Sequence, residues 1–184
     1  KYDQILHTGL KGKSVMNYVS SHDDGDPFDK ARTKPYESAT KLLLTPGISQ
    51  IYYGDETKRP LIIEGTNGDA TLRSFMNWNM MNDTETKALL THWQKLGQFR
   101  KAHPAIGAGK HSMISESPYV FSRTFNNDKV VVGLDLPKGK KEINVGKQFE
   151  NGAKITDHYS GKTATVKNGK VMIDSEFSIV LLHQ

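Results

Sequence analysis

Apolar positions along the chain fall into two textures. The run Val15-Met16-Asn17-Tyr18-Val19 predicts a buried strand over 14–20, and Ile48–Tyr53, flanked by glycines, predicts a second. Between them Ala39, Leu42 and Leu43 give one apolar helical face. Pro35 suits the first turn of that helix, where its missing N–H costs nothing, and Pro46-Gly47 stops it. Strand, crossover helix and second strand describe a parallel pair with the usual right-handed crossover. The loops His22-Asp23-Asp24 and Gly54-Asp55-Glu56 would then share one rim, at the strands' C-terminal ends, where β/α barrels keep their chemistry. Two strands cannot close a barrel, so the same geometry calls for a partner.

Residues 1–13 are polar and read as a connector into the first strand. Residues 56–78 are long and irregular, with Pro60, Gly65 and Gly68, a length that usually carries function. Asn82 with Glu85 has capping-box spacing and opens a helix from Asp83 to about Lys101. Leu89, Trp93 and Leu96 share its apolar face, and His103-Pro104 ends it. After Gly109 the texture changes to short strand-like runs: Tyr119–Phe121, Val130–Val132, Ile143–Val145, Thr163–Val166, Val171–Ile173 and Phe177–Leu182. Lys167-Asn168-Gly169-Lys170 is a type I′ hairpin signal. Runs at this spacing predict an antiparallel β-sandwich. The expected organisation is α/β plus all-β: 1–108 as the last two βα units of a (β/α)8 barrel, then 109–184 as the sandwich domain.

Composition narrows the classes. The chain has 184 residues, 36% apolar and 24% charged, with no cysteine. Disulfides and thiolate metal sites are therefore excluded. No run approaches the ~20 apolar residues of a membrane span. A first residue Lys1 in place of Met, without a signal-peptide pattern, is read as a truncated N-terminus. The net charge of +5 comes largely from lysines of the second half (Lys138, Lys140, Lys141, Lys147, Lys154, Lys162, Lys167, Lys170). They alternate with apolar residues or sit in turns, as on the wet face of a sheet, without the aromatics a nucleic-acid surface interleaves. Nucleic acid is not expected as a partner.

Candidate chemistry concentrates in the two loops. Asp23, Asp24, Asp26, Asp29, Asp55 and Glu56 would crowd carboxylates onto one rim, as glycoside hydrolysis requires, although loop acids are often only solvated or capping. Asp24-Gly25-Asp26 fails as a calcium loop, because Lys34 or Pro35 stands where the downstream Glu is needed. His22 has no second histidine at ligand spacing. His7, His92, His103, His111, His158 and His183 are scattered and expected at surfaces or turns. Tyr18, Tyr52, Tyr53 and Trp78 are candidates for stacking on sugar rings, with packing as the competing role for the tyrosines.

Three strings in order resemble the α-amylase family, glycoside hydrolase family 13. Asn17-Tyr18-Val19-Ser20-Ser21-His22-Asp23 resembles its fourth conserved region. Pro46-Gly47-Ile48-Ser49-Gln50-Ile51-Tyr52-Tyr53-Gly54-Asp55-Glu56 is similar to its eighth barrel strand. Leu72-Arg73-Ser74-Phe75-Met76-Asn77-Trp78 is similar to the Arg–Met–Trp loop beyond. The resemblance covers essentially the whole chain and implies the C-terminal part of a retaining α-glucan hydrolase, acting on starch, maltodextrin or pullulan-type substrates. It gives Asp23 the role of third catalytic acid, stabilising the transition state, and makes His22, Arg73 and Trp78 substrate-binding. The residue matching Glu56 is a supporting group. The family's nucleophilic Asp and acid Glu lie on earlier strands, and nothing before residue 14 carries them, so this segment alone is expected to be inactive. It is expected to hold no cofactor, the family's calcium sites lying mostly upstream. Self-association, or pairing with the missing barrel part, is expected of the isolated segment. An extracellular, periplasmic or cell-surface location is what the resemblance favours. Ser21 departs from the usual Asn, and Phe75 from the common Pro. A non-catalytic sugar-binding relative is the alternative, as is a binding module built on the sandwich, for which only Tyr119 and Tyr159 are available.

Overall fold

A computed structural model describes residues 2–184, Asp69 by its backbone only. The chain forms two compact units, Lys13–Gln98 and, together, Lys1–Gly12 with Phe99–Gln184.

In the first unit, β1 (Met16–Asn17) pairs in parallel with β2 (Ile48–Ser49), and α2 (Pro35–Leu44) makes the crossover. The helix begins at the proline and buries Ala39, Leu42, Leu43 and Leu44. Both strands are far shorter than their apolar runs, and they are not buried. Met16 is 56% exposed and Ile48 52%, and Tyr18, Ile51 and Tyr53 are also open. Parallel strands are stable when both faces are covered. Here nothing among the described residues covers that side, and the ladder stops after two residue pairs.

Helix α3 (Thr84–Ala102) buries Leu89, Trp93 and Leu96, as its periodicity requires. His92, expected at the surface, is 5% exposed, with Nε2 3.1 Å from both Thr40 Oγ1 and the Tyr36 carbonyl. Burial holds its pKa below the ordinary value, so the neutral ring joins α3 to α2. The cap differs from the expected box. Asp83, not Asn82, caps: its Oδ2 accepts from the Thr86 N–H at 3.0 Å. That N–H bond lowers the Asp83 pKa. A carboxylate with a lowered folded pKa stabilises above its unfolded value and loses that contribution as pH falls through the folded one. Asp83→Asn is therefore expected to lessen the fall in melting temperature, followed by helical circular dichroism, as pH drops below about 4. An unchanged acid limb would remove the carboxylate from the cap.

The second unit opens with α1 (Tyr2–His7), where a connector was expected. Asp3 ties it down, its Oδ1 accepting from the His111 N–H at 2.9 Å. After α4 (Ala105–Ala108) come eight strands: β3 (Lys110–Ser115), β4 (Tyr119–Phe125), β5 (Asp128–Leu134), β6 (Gly139–Asn144), β7 (Lys154–Asp157), β8 (Thr163–Thr165), β9 (Lys170–Ser175) and β10 (Val180–His183). All pairings are antiparallel: a six-stranded sheet in the order β3-β4-β5-β10-β7-β8, and the pair β6-β9. One core holds side chains of both sheets, including Val131, Ile143, Ile155, Ile173 and Leu182. Strands β3 and β7 were not legible, since Lys110–Ser115 buries no residue and Lys154–Asp157 carries little apolar signal.

The hairpin at Asn168-Gly169 is as expected. Both residues have positive φ, 52° and 73°, and Lys167 and Lys170 exchange both backbone hydrogen bonds across it. Lys141 departs from the wet-face pattern. It is 3% exposed, and its Nζ donates to the Ser175 carbonyl at 2.5 Å and to Ser175 Oγ at 3.1 Å. Tyr159 is buried as well, which removes it from any sugar-binding face.

Candidate active site

The loop after β1 carries His22 and Asp23 out at the C-terminal end of the strand. His22 Nε2 lies 3.0 Å from Asp23 Oδ2. Arg73, fifty positions along the chain, reaches the other oxygen, with Nη2 3.7 Å from Asp23 Oδ1. The Arg73 and Asp23 side chains are 49% and 63% exposed, so screening leaves this pair worth roughly 0–1 kcal/mol. The two neighbours place a histidine beside one carboxylate oxygen and a guanidinium near the other. Trp78 is 71% exposed in the 3-10 turn Trp78–Asn82 and does not line the cleft described next.

That cleft, about 320 Å³, opens beside Asp23. His22, Asp23, Gly25 and Lys30 come from one loop, and Ile62, Thr71 and Leu72 from the other. The size sits at the lower end for small-molecule sites. Tyr52 packs in one buried cluster with Leu61 and the cleft residue Leu72, and its hydroxyl donates to the Leu72 carbonyl at 3.0 Å. Burial, then the neighbouring Tyr53, raises the Tyr52 pKa, so its phenol stays a donor. Tyr52 is thus a packing residue, while Tyr53 donates to the Ser74 carbonyl at 2.8 Å.

The carboxylates do not all stand on the rim. Asp55 is 2% exposed, and its Oδ1 accepts from Ser20 Oγ at 2.6 Å and from Arg32 Nη2 at 2.7 Å. Asp29 is also buried and accepts the N–H groups of Thr33 and Lys34, both at 2.8 Å, finishing the loop ahead of α2. These two acids are internal ties because arginines stand within reach or backbone donors need closing. Asp23, Asp24 and Asp26 remain on the loop surface.

Two arginines absent from the sequence-derived site hold the loops. Arg32 Nε donates to the Arg59 carbonyl at 2.8 Å while its Nη2 pairs with Asp55. Its φ of 56° is unfavourable for a side-chain-bearing residue, and those bonds offset the cost of about 1–2 kcal/mol. Arg59 is fully buried: Nε donates to the Tyr53 carbonyl at 2.9 Å, and Nη1 to the Ser74 carbonyl at 2.9 Å and to Ser74 Oγ. Its guanidinium carbon stands 3.8 Å from the Tyr53 ring centroid. Gly54 permits this approach, since a Cβ there would meet Arg59 Cβ at 2.5 Å, and its φ is 83°. Two arginines bordering an acid-rich pair of loops were the available signal, because buried carboxylates need cationic partners.

Among the described residues no cluster of three or more His, Asp or Glu is placed to hold a metal ion. Among the described residues no helix is long and apolar enough to cross a membrane.

No family model matches the chain. It is 42% identical over 133 residues to the periplasmic alpha-amylase of Escherichia coli K12, covering 70% of this chain and 18% of that protein. It is 29% identical over 195 residues to the amylopullulanase of Thermoanaerobacter thermohydrosulfuricus, covering 88% of this chain and 12% of that protein. In fold it is similar to an alpha-amylase of Geobacillus thermoleovorans crystallised with acarbose, with a TM-score of 0.67 at 16% identity, across 98% of this chain and 42% of that one. The chain thus spans under a fifth of the length of the two curated relatives. The sequence motifs and these likenesses agree: the chain belongs to the α-amylase family of glycoside hydrolases and corresponds to a C-terminal part of such an enzyme.

Proposed function

We propose that this chain supplies one wall of the active site of a retaining α-glucan hydrolase that cleaves α-1,4-glucosidic bonds of starch, maltodextrin or pullulan-type substrates. The observation that carries the reading is the Asp23 carboxylate, held by His22 on one oxygen and Arg73 on the other, at the mouth of a cleft. Asp23 grips hydroxyls of the sugar at the cleavage point, and these hydrogen bonds strengthen as the ring flattens toward the oxocarbenium-like transition state. His22 bonds the same sugar. Arg73 acts as much on Asp23 as on substrate, and Trp78 offers a ring face farther along. The nucleophile and general acid come from the preceding part of the enzyme, which also holds any calcium.

In this reading residues 1–108 complete a (β/α)8 barrel and 109–184 form its trailing β-sandwich domain. The open apolar residues Met16, Tyr18, Ile48, Ile51 and Tyr53 then meet the preceding strands. The enzyme works outside the cytoplasm, in keeping with the periplasmic relative.

Reducing-sugar release from soluble starch tests the division of labour. The full-length enzyme is expected to be active. The isolated chain is expected to be inactive and, by light scattering, self-associated through its uncovered strands. Hydrolysis by the chain alone would show that its own carboxylates suffice. A monodisperse monomer would count against the barrel portion.

A further inference from the structure

We infer that Lys30 is a specificity-determining residue of this site, donating hydrogen bonds to the hydroxyls of a glucosyl unit lodged in the cleft beside Asp23. The inference deepens the α-glucan reading and rests on it.

Lys30 lines the same cleft as His22 and Asp23. Its Nζ donates to the Gly25 carbonyl at 2.9 Å, across the loop that both residues share. An ammonium group has three donors, so that bond positions the group and leaves N–H donors for an occupant. No carboxylate among the described residues is paired with it.

The backbone under it is fixed. Asp29, one residue before, is buried and closes the N–H groups of Thr33 and Lys34. Arg32, two residues after, is buried against Asp55 and the Arg59 carbonyl. Lys30 is therefore presented from a short span anchored on both sides, and less ordering remains to be done on binding. The second loop lines the cleft with the apolar side chains of Ile62 and Leu72 and with Thr71, whose hydroxyl donates to the Thr66 carbonyl at 3.2 Å. A pyranose fits such a slot: C–H faces against the apolar wall, hydroxyls toward the ammonium. Anchored loops, a directed cation and an apolar counter-wall describe a subsite for one sugar ring next to the reacting one.

The experiment uses the full-length enzyme and linear maltooligosaccharides of increasing length. Lys30→Met is expected to raise KM about 10-fold for substrates long enough to fill the cleft, the equivalent of one lost charged hydrogen bond. For these substrates kcat should change little, and Lys30→Arg should recover most of the loss. The shortest substrates should show no penalty, and the melting temperature should not move. A KM equal to wild type at every length, or one penalty at all lengths, would overturn the assignment. A wild-type enzyme that releases no sugar from any α-glucan would sink the underlying reading itself, and Lys30 with it. An active wild type with an indifferent Lys30→Met removes Lys30 alone.

Discussion

Asp23→Asn in the full-length enzyme is expected to lower kcat on the order of 10³-fold while leaving the protein folded. The substitution keeps the shape of the side chain and removes its charge and two of its acceptor sites. Hydrogen bonds from substrate hydroxyls to a carboxylate that tighten at the transition state supply several kcal/mol, and about 1.4 kcal/mol corresponds to each factor of ten. The loss should fall on kcat and kcat/KM together, with KM little changed, the pattern of an interaction made mainly in the transition state. Stability is a separate matter here. Asp23 is 63% exposed and its partners are a half-exposed histidine and a half-exposed arginine, so little folding energy is at stake. Steady-state kinetics on maltooligosaccharides with a parallel thermal melt separates the two. Turnover within a few-fold of wild type would take Asp23 out of the chemistry.

Arg32→Met is expected to destabilise the enzyme by about 3–5 kcal/mol, the typical cost of leaving a buried charge without its partner. Asp55 has no exposed side-chain surface, and its Oδ1 would keep only Ser20. The Arg59 carbonyl would lose its donor as well. The intact pair need not be strongly stabilising for this to hold, because desolvation cancels much of the attraction. That distinction gives a sharper check. Replacing both residues, Arg32→Met with Asp55→Leu, should cost less than Arg32→Met alone, since the double variant strands no charge. Urea unfolding of the three proteins measures it. A single variant within 1 kcal/mol of wild type would mean that water reaches Asp55.

The sequence carried the repeating features well. The crossover helix at Pro35–Leu44, the body of α3 and six of the eight late strands follow from periodicity and from Pro, Gly and Asn-Gly punctuation. It was less informative wherever a residue's partner lies far along the chain. Asp23 and Asp55 are the same residue type in neighbouring loops, yet one faces a cleft and the other an arginine 23 positions earlier. Only the folded loops decide which acid faces the cleft and which is an internal tie. The two early strands were overextended for a related reason: apolar runs mark where a face will be covered, whereas hydrogen-bonded length depends on neighbours present to cover it. Lys141 and His92 broke the expectation of exposed polar residues because each finds specific bonds inside, Lys141 to Ser175 and His92 to α2. Family resemblance implies that Arg73 binds substrate, whereas its nearness to Asp23, at 3.7 Å, follows only from the folded loops.

The tie formed by Ser20, Arg32, Asp55 and Arg59 is buried, and none of its four members lines the cleft beside Asp23. Chassis and tool are therefore separable. Gly25, Lys30, Ile62 and Thr71, which line the cleft, make no hydrogen bond to that tie, so exchanging them as a set is expected to leave it intact. An engineer seeking a different glucan, or a natural lineage drifting toward one, can rewrite those four positions while the carboxylate at Asp23 stays on station.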